Sequence, residues 1–252
     1  MNGELKGKRI ASGIRGNAPH KFAFYNRPPE DYEAILRGKT MGQAIEHGSL
    51  IWASVEPDYV LVLGGGGERI LFHRSEDTLP KKHQLMLHFQ DDTHLTVTVQ
   101  GWGFVQLFHQ SEIVGQRGYH LGRKGISPLG AEFTFEYFQG LFRELEQEDP
   151  RSIKFFMISK PGIWGVGNGC LQDILFRAKI HPRRRCIDIT ESERRALYEA
   201  IKQTLKRAVE LGGRDTERDL YNQPGGYRRI LDSRNVGQPC PECGMTIEKI
   251  QY

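Results

Sequence analysis

The chain has 252 residues, 38% hydrophobic and 26% charged, a balance that excludes disorder and a miniature fold held by disulfides. Its longest apolar run, Tyr59 to Leu63, is strand-sized, which excludes a spanning helix of about 20 apolar residues; the opening MNGELKGKRI has no apolar core of a secretory leader. The formal net charge of +4 is uneven, with 16 basic and 19 acidic residues up to Pro150 against 19 and 12 from Arg151 on, the asymmetry expected if the second part meets a polyanion.

In chain order, Tyr59 to Leu63, Ile70 to His73, Gln84 to Phe89, His94 to Val99 and Phe104 to Phe108 are short runs rich in β-branched and aromatic residues, and Gln90 to Thr93 reads as a hairpin turn. These predict an antiparallel sandwich or barrel. Gly64 to Gly67 and Gly101-Trp102-Gly103 interrupt it; the four glycines lack the Gly-Lys-Ser/Thr of a nucleotide loop and read as a loose tip. Gly122, Gly125, Pro128 and Gly130 mark the β-to-α boundary.

From Phe133 the apolar period becomes helical through Tyr137, Leu141, Phe142 and Leu145, ending at Pro150. A short helix is expected over Ile153 to Ile158 and another from Asn168 to Ala178. Thr190-Glu191-Ser192-Glu193 is a capping box for a long helix that stops at Gly212-Gly213. A polar, loop-like stretch then leads to Cys240-Pro241-Glu242-Cys243. With no secretory leader, this C-x-x-C indicates a reducing, cytoplasmic setting and a metal or redox feature.

The stretch Lys160 to Gly169 carries the most chemistry. Gly165 and Gly167 followed by Asn168 and a periodic helix describe a turn whose N–H groups and amide side chain converge on one anion, or else an ordinary helix start. Trp102 reads as an aromatic wedge or as a core or turn aromatic. Arg183 to Arg185 is a solvated connection or a phosphate contact. His181, His109 and His120 each invite a catalytic reading; His181, in a short turn before Pro182, reads instead as a local cap or hydrogen-bonding group.

Taken together, Gly165-Val166-Gly167-Asn168, Asp173-Ile174-Leu175-Phe176-Arg177-Ala178, Ile180-His181-Pro182 and the capped helix to Gly212-Gly213 resemble the helix–two-turn–helix domain of the formamidopyrimidine-DNA glycosylase and endonuclease VIII family. The tail from Gly237 to Gly244 is similar to the first half of that family's zinc finger, and Lys6 to Ile10 fits the entry to its N-terminal sandwich. The resemblance implies an α+β chain: an N-terminal antiparallel β-sandwich over residues 1–125, a helical helix–two-turn–helix domain over 126–222 and a partial zinc-finger hairpin over 223–252. It also implies a monomeric, cytoplasmic, nucleoid-associated partner of damaged double-stranded DNA. The implied DNA contacts are Asn168, Lys160, Gly165, Gly167 and Trp102, and Cys240 and Cys243 are implied ligands of a structural zinc.

The implied activity is that of a bifunctional DNA N-glycosylase and abasic-site lyase acting on oxidised bases; the alternative is a catalytically impaired DNA-binding module. The family's nucleophile is the amine of an N-terminal proline, with an adjacent glutamate handling protons. Here Met1 to Leu5 matches the end of the family's first helix, so the Pro-Glu start is expected about a dozen residues further upstream and no catalytic residue is assigned within the chain. A family lysine is replaced at Ser49 in His47-Gly48-Ser49, and the void-filling loops correspond to Gly64-Gly65-Gly66 and Gly101-Trp102-Gly103. A second C-x-x-C pair is expected beyond Tyr252, so Cys240 and Cys243 are half of the zinc site.

Overall fold

A computed structural model describes residues 1–113, 125–146 and 148–249. The chain forms two compact units, Met1–Lys124 with Thr216–Pro224 and Gly125–Asp215 with Gly225–Tyr252.

The first unit is a β-sandwich. After one turn of helix, α1 (Asn2–Leu5), come β1 (Ile10–Arg15), β2 (Ala23–Phe24), α2 (Pro29–Leu36), β3 (Thr40–His47), β4 (Leu50–Glu56), β5 (Tyr59–Gly64), β6 (Glu68–His73), β7 (Leu85–Phe89), β8 (His94–Val99), β9 (Gly103–His109) and α3 (Gln110–Ile113). One sheet has the order β1-β7-β8-β6 and the other β2-β9-β5-β4-β3. All ladders are antiparallel except the two-residue pairing of β2 with β9. The sheets share a core in which Leu61, Leu63, Val105 and Leu107 meet Leu85, Leu87, Leu95 and Val97. Strand β5 is apolar on both faces because its other side, Val60 and Val62, packs with Leu50 and Phe108.

The turn expected between β7 and β8 is present. Asp92 takes a φ of 61°, and Asp91 accepts from the Thr93 N–H and hydroxyl and pairs with Lys8. These contacts hold the Asp91 carboxyl down to about 2, the Lys8 contact being the largest cause.

The glycine run is tied down rather than loose. Gly65 donates to the Ser49 carbonyl at 3.0 Å, Gly66 and Gly67 donate to the Glu68 carboxylate at 2.9 Å, and the Gly67 carbonyl accepts from Gln100 and Gly101. A side chain at Gly67 would stand 2.6 Å from the backbone of Trp102. The glycines therefore permit close approach of two loops, a use invisible in a local reading.

In the second unit α4 (Phe135–Arg143), α5 (Ile153–Ile158), α6 (Asn168–Arg177) and α7 (Glu191–Glu210) enclose a separate core built on Phe138, Phe156, Leu171, Ile174, Leu197 and Ile201. The capping signal read at Thr190 holds, and Thr134 and Ser152 do the same at α4 and α5: each hydroxyl accepts an N–H of the first turn. At α7 the capping box is complete, and Arg184 grips the Glu193 carboxylate at 2.7 Å, holding its pKa down to about 2. The Arg183–Arg185 run is thus partly structural, since Arg184 also donates to the Asp188 carbonyl.

After α7 the chain is irregular but anchored. Asp173 on α6, 1% exposed, accepts from the Tyr227 hydroxyl at 2.7 Å and from the N–H groups of Ile230 and Leu231 at 3.0 and 2.9 Å. Burial, then the neighbouring carboxylate, pushes the Tyr227 phenol upward. Beyond it Pro239 bridges Thr246, so the C-x-x-C occupies a short hairpin.

Candidate nucleic-acid interface

Of the residues singled out in the sequence, Lys160, Gly165 and Gly167 lie on the connection between α5 and α6, and Asn168 opens α6. Several of the connection's N–H groups are bonded: those of Lys160, Gly162, Ile163 and Val166 donate to the carbonyls of Phe155, Phe156, Met157 and Ile163. Arg151 fixes the entrance, with Asp149 on one side of its guanidinium and the Lys160 carbonyl at 2.8 Å on the other. Asp149 is consequently held down to about 2.

Other groups of the turn are open. Among the described residues the N–H groups of Gly165, Gly167, Asn168 and Gly169 meet no protein acceptor, and the Asn168 amide has no protein partner. Gly165, Gly167, Asn168 and Lys160 are exposed. Gly165 has a φ of 74°, which strains any other residue, whereas Gly167 has a φ of −124° that any residue adopts. Nothing lies within 4 Å of a side chain added at Gly167, so the absence of a side chain there leaves space for a ligand, not for the fold.

Arg214, which no sequence pattern marks, completes the arrangement. Its guanidinium packs so closely on Gly169 that even a methyl group would overlap it. Gly169 thereby admits a permanent positive charge beside the first turn of α6, where unsatisfied N–H groups and the helix dipole already favour an anion. Such an assembly can receive one phosphate.

Trp102 belongs to the first unit. It stands 42% exposed at the corner before β9, edge-on to Phe104 with centroids 5.7 Å apart, and is a surface aromatic rather than a core one. His181 bonds locally to the Arg183 N–H, as expected, and His109 bonds to Ser111; His120 lies outside the described residues.

Cys240 and Cys243 share the tail hairpin. Hydrogen bonds from the N–H groups of Cys243 and Glu242 pull the Cys240 thiol below its ordinary pKa, which favours the thiolate that binds metal. No group of three potential ligands occurs among the described residues. Cys186 is buried, and burial pushes its thiol up to about 12.

Residues 125–219 match the family model described as "Formamidopyrimidine-DNA glycosylase H2TH domain". A formamidopyrimidine-DNA glycosylase of Bacillus cereus is 31% identical over 230 residues, covering 88% of this chain and 80% of the relative. The chain belongs to the formamidopyrimidine-DNA glycosylase family. A Thermus thermophilus member is 37% identical over 132 residues, half of this chain and 48% of that one. Among solved structures, the Lactococcus lactis glycosylase in complex with abasic-site DNA superposes with a TM-score of 0.82 at 22% identity, covering all of this chain and 90% of that one. A structure of MutM with DNA containing carbocyclic 8-oxo-G gives a TM-score of 0.82 at 23% identity with the same coverage. These two likenesses establish the fold of the family across both units. No helix among the described residues is long and apolar enough to cross a membrane.

Proposed function

We propose that the chain is a DNA-repair glycosylase that grips damaged double-stranded DNA through the turn ahead of α6, removes an oxidised base and cleaves the strand at the abasic site left behind. The observation that carries the reading is that, among the described residues, the N–H groups of Gly165, Gly167, Asn168 and Gly169 and the Asn168 amide have no protein partner. Neutral donors on a rigid turn position a phosphate without reading a base. Lys160 and the basic second part of the chain add steering charge.

Replacing Asn168 by alanine is expected to weaken binding to an abasic-site duplex about tenfold or more, equally for different sequences, because a hydrogen bond to a charged group is lost. Gly167→Ala should weaken binding similarly while leaving the melting temperature unchanged, since the added methyl fills only ligand space. Fluorescence anisotropy at moderate salt measures both, and unchanged affinity in the two variants would refute the assignment.

The lyase step needs an unprotonated amine at the sugar C1′; attack there releases the base and forms a Schiff base, from which β-elimination breaks the strand. A chain that begins with Pro-Glu ahead of α1 is expected to give a borohydride-trapped complex with abasic DNA. The 252-residue chain, with Met1 at α1 and Ser49 in place of a lysine, should trap poorly. No trapping by the longer chain would remove the lyase part of the proposal.

Cys240 and Cys243 would hold a structural zinc, whose role is to stabilise the hairpin when bound. Two thiolates supply half of a tetrahedral set, so the 252-residue chain is expected to carry clearly less than one zinc per molecule by elemental analysis. A full equivalent would mean that two further ligands close the site.

A further inference from the structure

Arg214 is placed beside α6 by contacts that the turn itself does not make. Gly213-Arg214-Asp215 runs alongside Tyr227 as a short parallel strap: the Tyr227 N–H donates to the Gly213 carbonyl at 2.9 Å, and the Tyr227 carbonyl accepts from the Asp215 N–H at 3.0 Å. Arg214 is thus held by a hydrogen bond on either side of it. At its far end Tyr227, 3% exposed, gives its hydroxyl to the Asp173 carboxylate at 2.7 Å. Asp173 lies four residues after Gly169 on α6, so the two share one face of the helix, a turn apart. Tyr227 therefore ties the backbone that carries Arg214 to the helix face on which the Arg214 guanidinium lies.

Two carboxylates of the same unit stand close to this strap, and each has holders of its own. Asp173 accepts the phenol and the N–H groups of Ile230 and Leu231. Asp215 accepts from Arg234, which also pairs with Asp232 beside Arg229. The guanidinium of Arg214 lies instead against Gly169, where the N–H groups of Gly167, Asn168 and Gly169 have no protein acceptor among the described residues. A guanidinium and the positive end of a helix repel one another unless an anion lies with them. The room for this cation is made by one glycine: any side chain at Gly169 would overlap the guanidinium, although its backbone is ordinary helix that every residue adopts.

We propose that Tyr227 positions Arg214 as a charged ligand of the DNA phosphate received by the turn ahead of α6. This rests on the reading that the turn grips duplex DNA, and it adds to that grip a ligand of a second kind. The turn contributes neutral donors in a fixed place. The guanidinium contributes charge and a planar pair of N–H donors suited to phosphate oxygens. Tyr227, buried behind the strap, is a positioning residue that acts through Arg214.

The test titrates the full chain with a labelled abasic-site duplex by fluorescence anisotropy at a series of salt concentrations. Arg214→Ala is expected to weaken binding about tenfold and to lower the slope of log affinity against log salt by about 0.9, the value of one phosphate contact. Gly169→Ala should do the same while keeping the parent's melting temperature, because a long side chain can swing aside. Added to Arg214→Ala, it should bring no further loss. Tyr227→Phe keeps the ring and the backbone bonds and should weaken binding about threefold. That loss should vanish in the Arg214→Ala background, whereas a general loosening of the unit would persist there. Unchanged affinity and slope in Arg214→Ala would overturn the proposal, as would a tenfold loss with an unaltered slope. A Tyr227→Phe loss that is as large without Arg214 as with it would overturn it too. Each of these results leaves the duplex reading standing if Asn168→Ala weakens binding. If Asn168→Ala and Gly167→Ala bind as the parent does, the turn receives no phosphate and both readings fall.

Discussion

Replacing Asp173 by alanine is expected to lower the stability of the helical unit by about 3–4 kcal/mol. The carboxylate accepts three hydrogen bonds in a site that is 1% exposed, and its removal strands a phenol and two backbone N–H groups away from water. Tyr227→Phe removes only the hydroxyl bond and should cost about 1 kcal/mol. Urea unfolding followed by far-ultraviolet circular dichroism separates the two. Hydrogen exchange at Ile230 and Leu231 supplies the local readout, because both amides should lose protection in the alanine variant. A loss below 1 kcal/mol for Asp173→Ala would show that the segment after Tyr227 is held by something other than this carboxylate.

Gly225→Ala should destabilise by about 3 kcal/mol and lower Tm by roughly 6–12 °C. Its φ is unremarkable and the obstacle is space: the new methyl would overlap the carbonyl group of Gly213 and lie 2.6 Å from the Arg214 oxygen. Backbone atoms cannot turn aside as a flexible side chain does. The chain would have to lift from the end of α7, breaking Tyr227 N–H to Gly213 and Gly226 N–H to Leu211, bonds of 2.9 and 2.8 Å. Because Asp173 and Gly225 secure the same segment, the double variant should lose less than the sum of the two. An unchanged melting curve for Gly225→Ala would show that this close approach does not exist in solution.

The helical unit was the more legible part of the sequence because its signals are local. Thr190 and Glu193 lie three residues apart and cap α7 as their spacing requires. The β unit was read only in its second half. Strands β1 and β3 escaped notice because each carries a register shift, between Ile10 and Ser12 and between Met41 and Ala44, that breaks the two-residue alternation. Helix α2 buries only Tyr32 and Leu36, too few to trace a stripe. At the site, Asn168 and its glycines were found because they adjoin in sequence, whereas Arg214 comes to Gly169 from 45 residues away. Phe22 and Phe24 drew no reading from the sequence, because the two-residue strand that pairs with β9 there is too short to show a period.

The segment Thr216–Pro224 has a consequence for anyone wishing to dissect the molecule. It follows α7 in the chain yet belongs to the sandwich, where the Leu220 carbonyl accepts from the Phe72 N–H at 2.8 Å and the Tyr221 hydroxyl donates to Glu4 at 2.5 Å. No single cut yields both halves intact. A fragment ending near residue 113 leaves the Phe72 donor without its acceptor, and the complementary fragment carries a nine-residue passenger with nothing to fold onto. Separate expression of the sandwich therefore calls for a genetic fusion that joins this passenger back to it, with a short bridge closing the gap left in the helical half between Asp215 and Gly225.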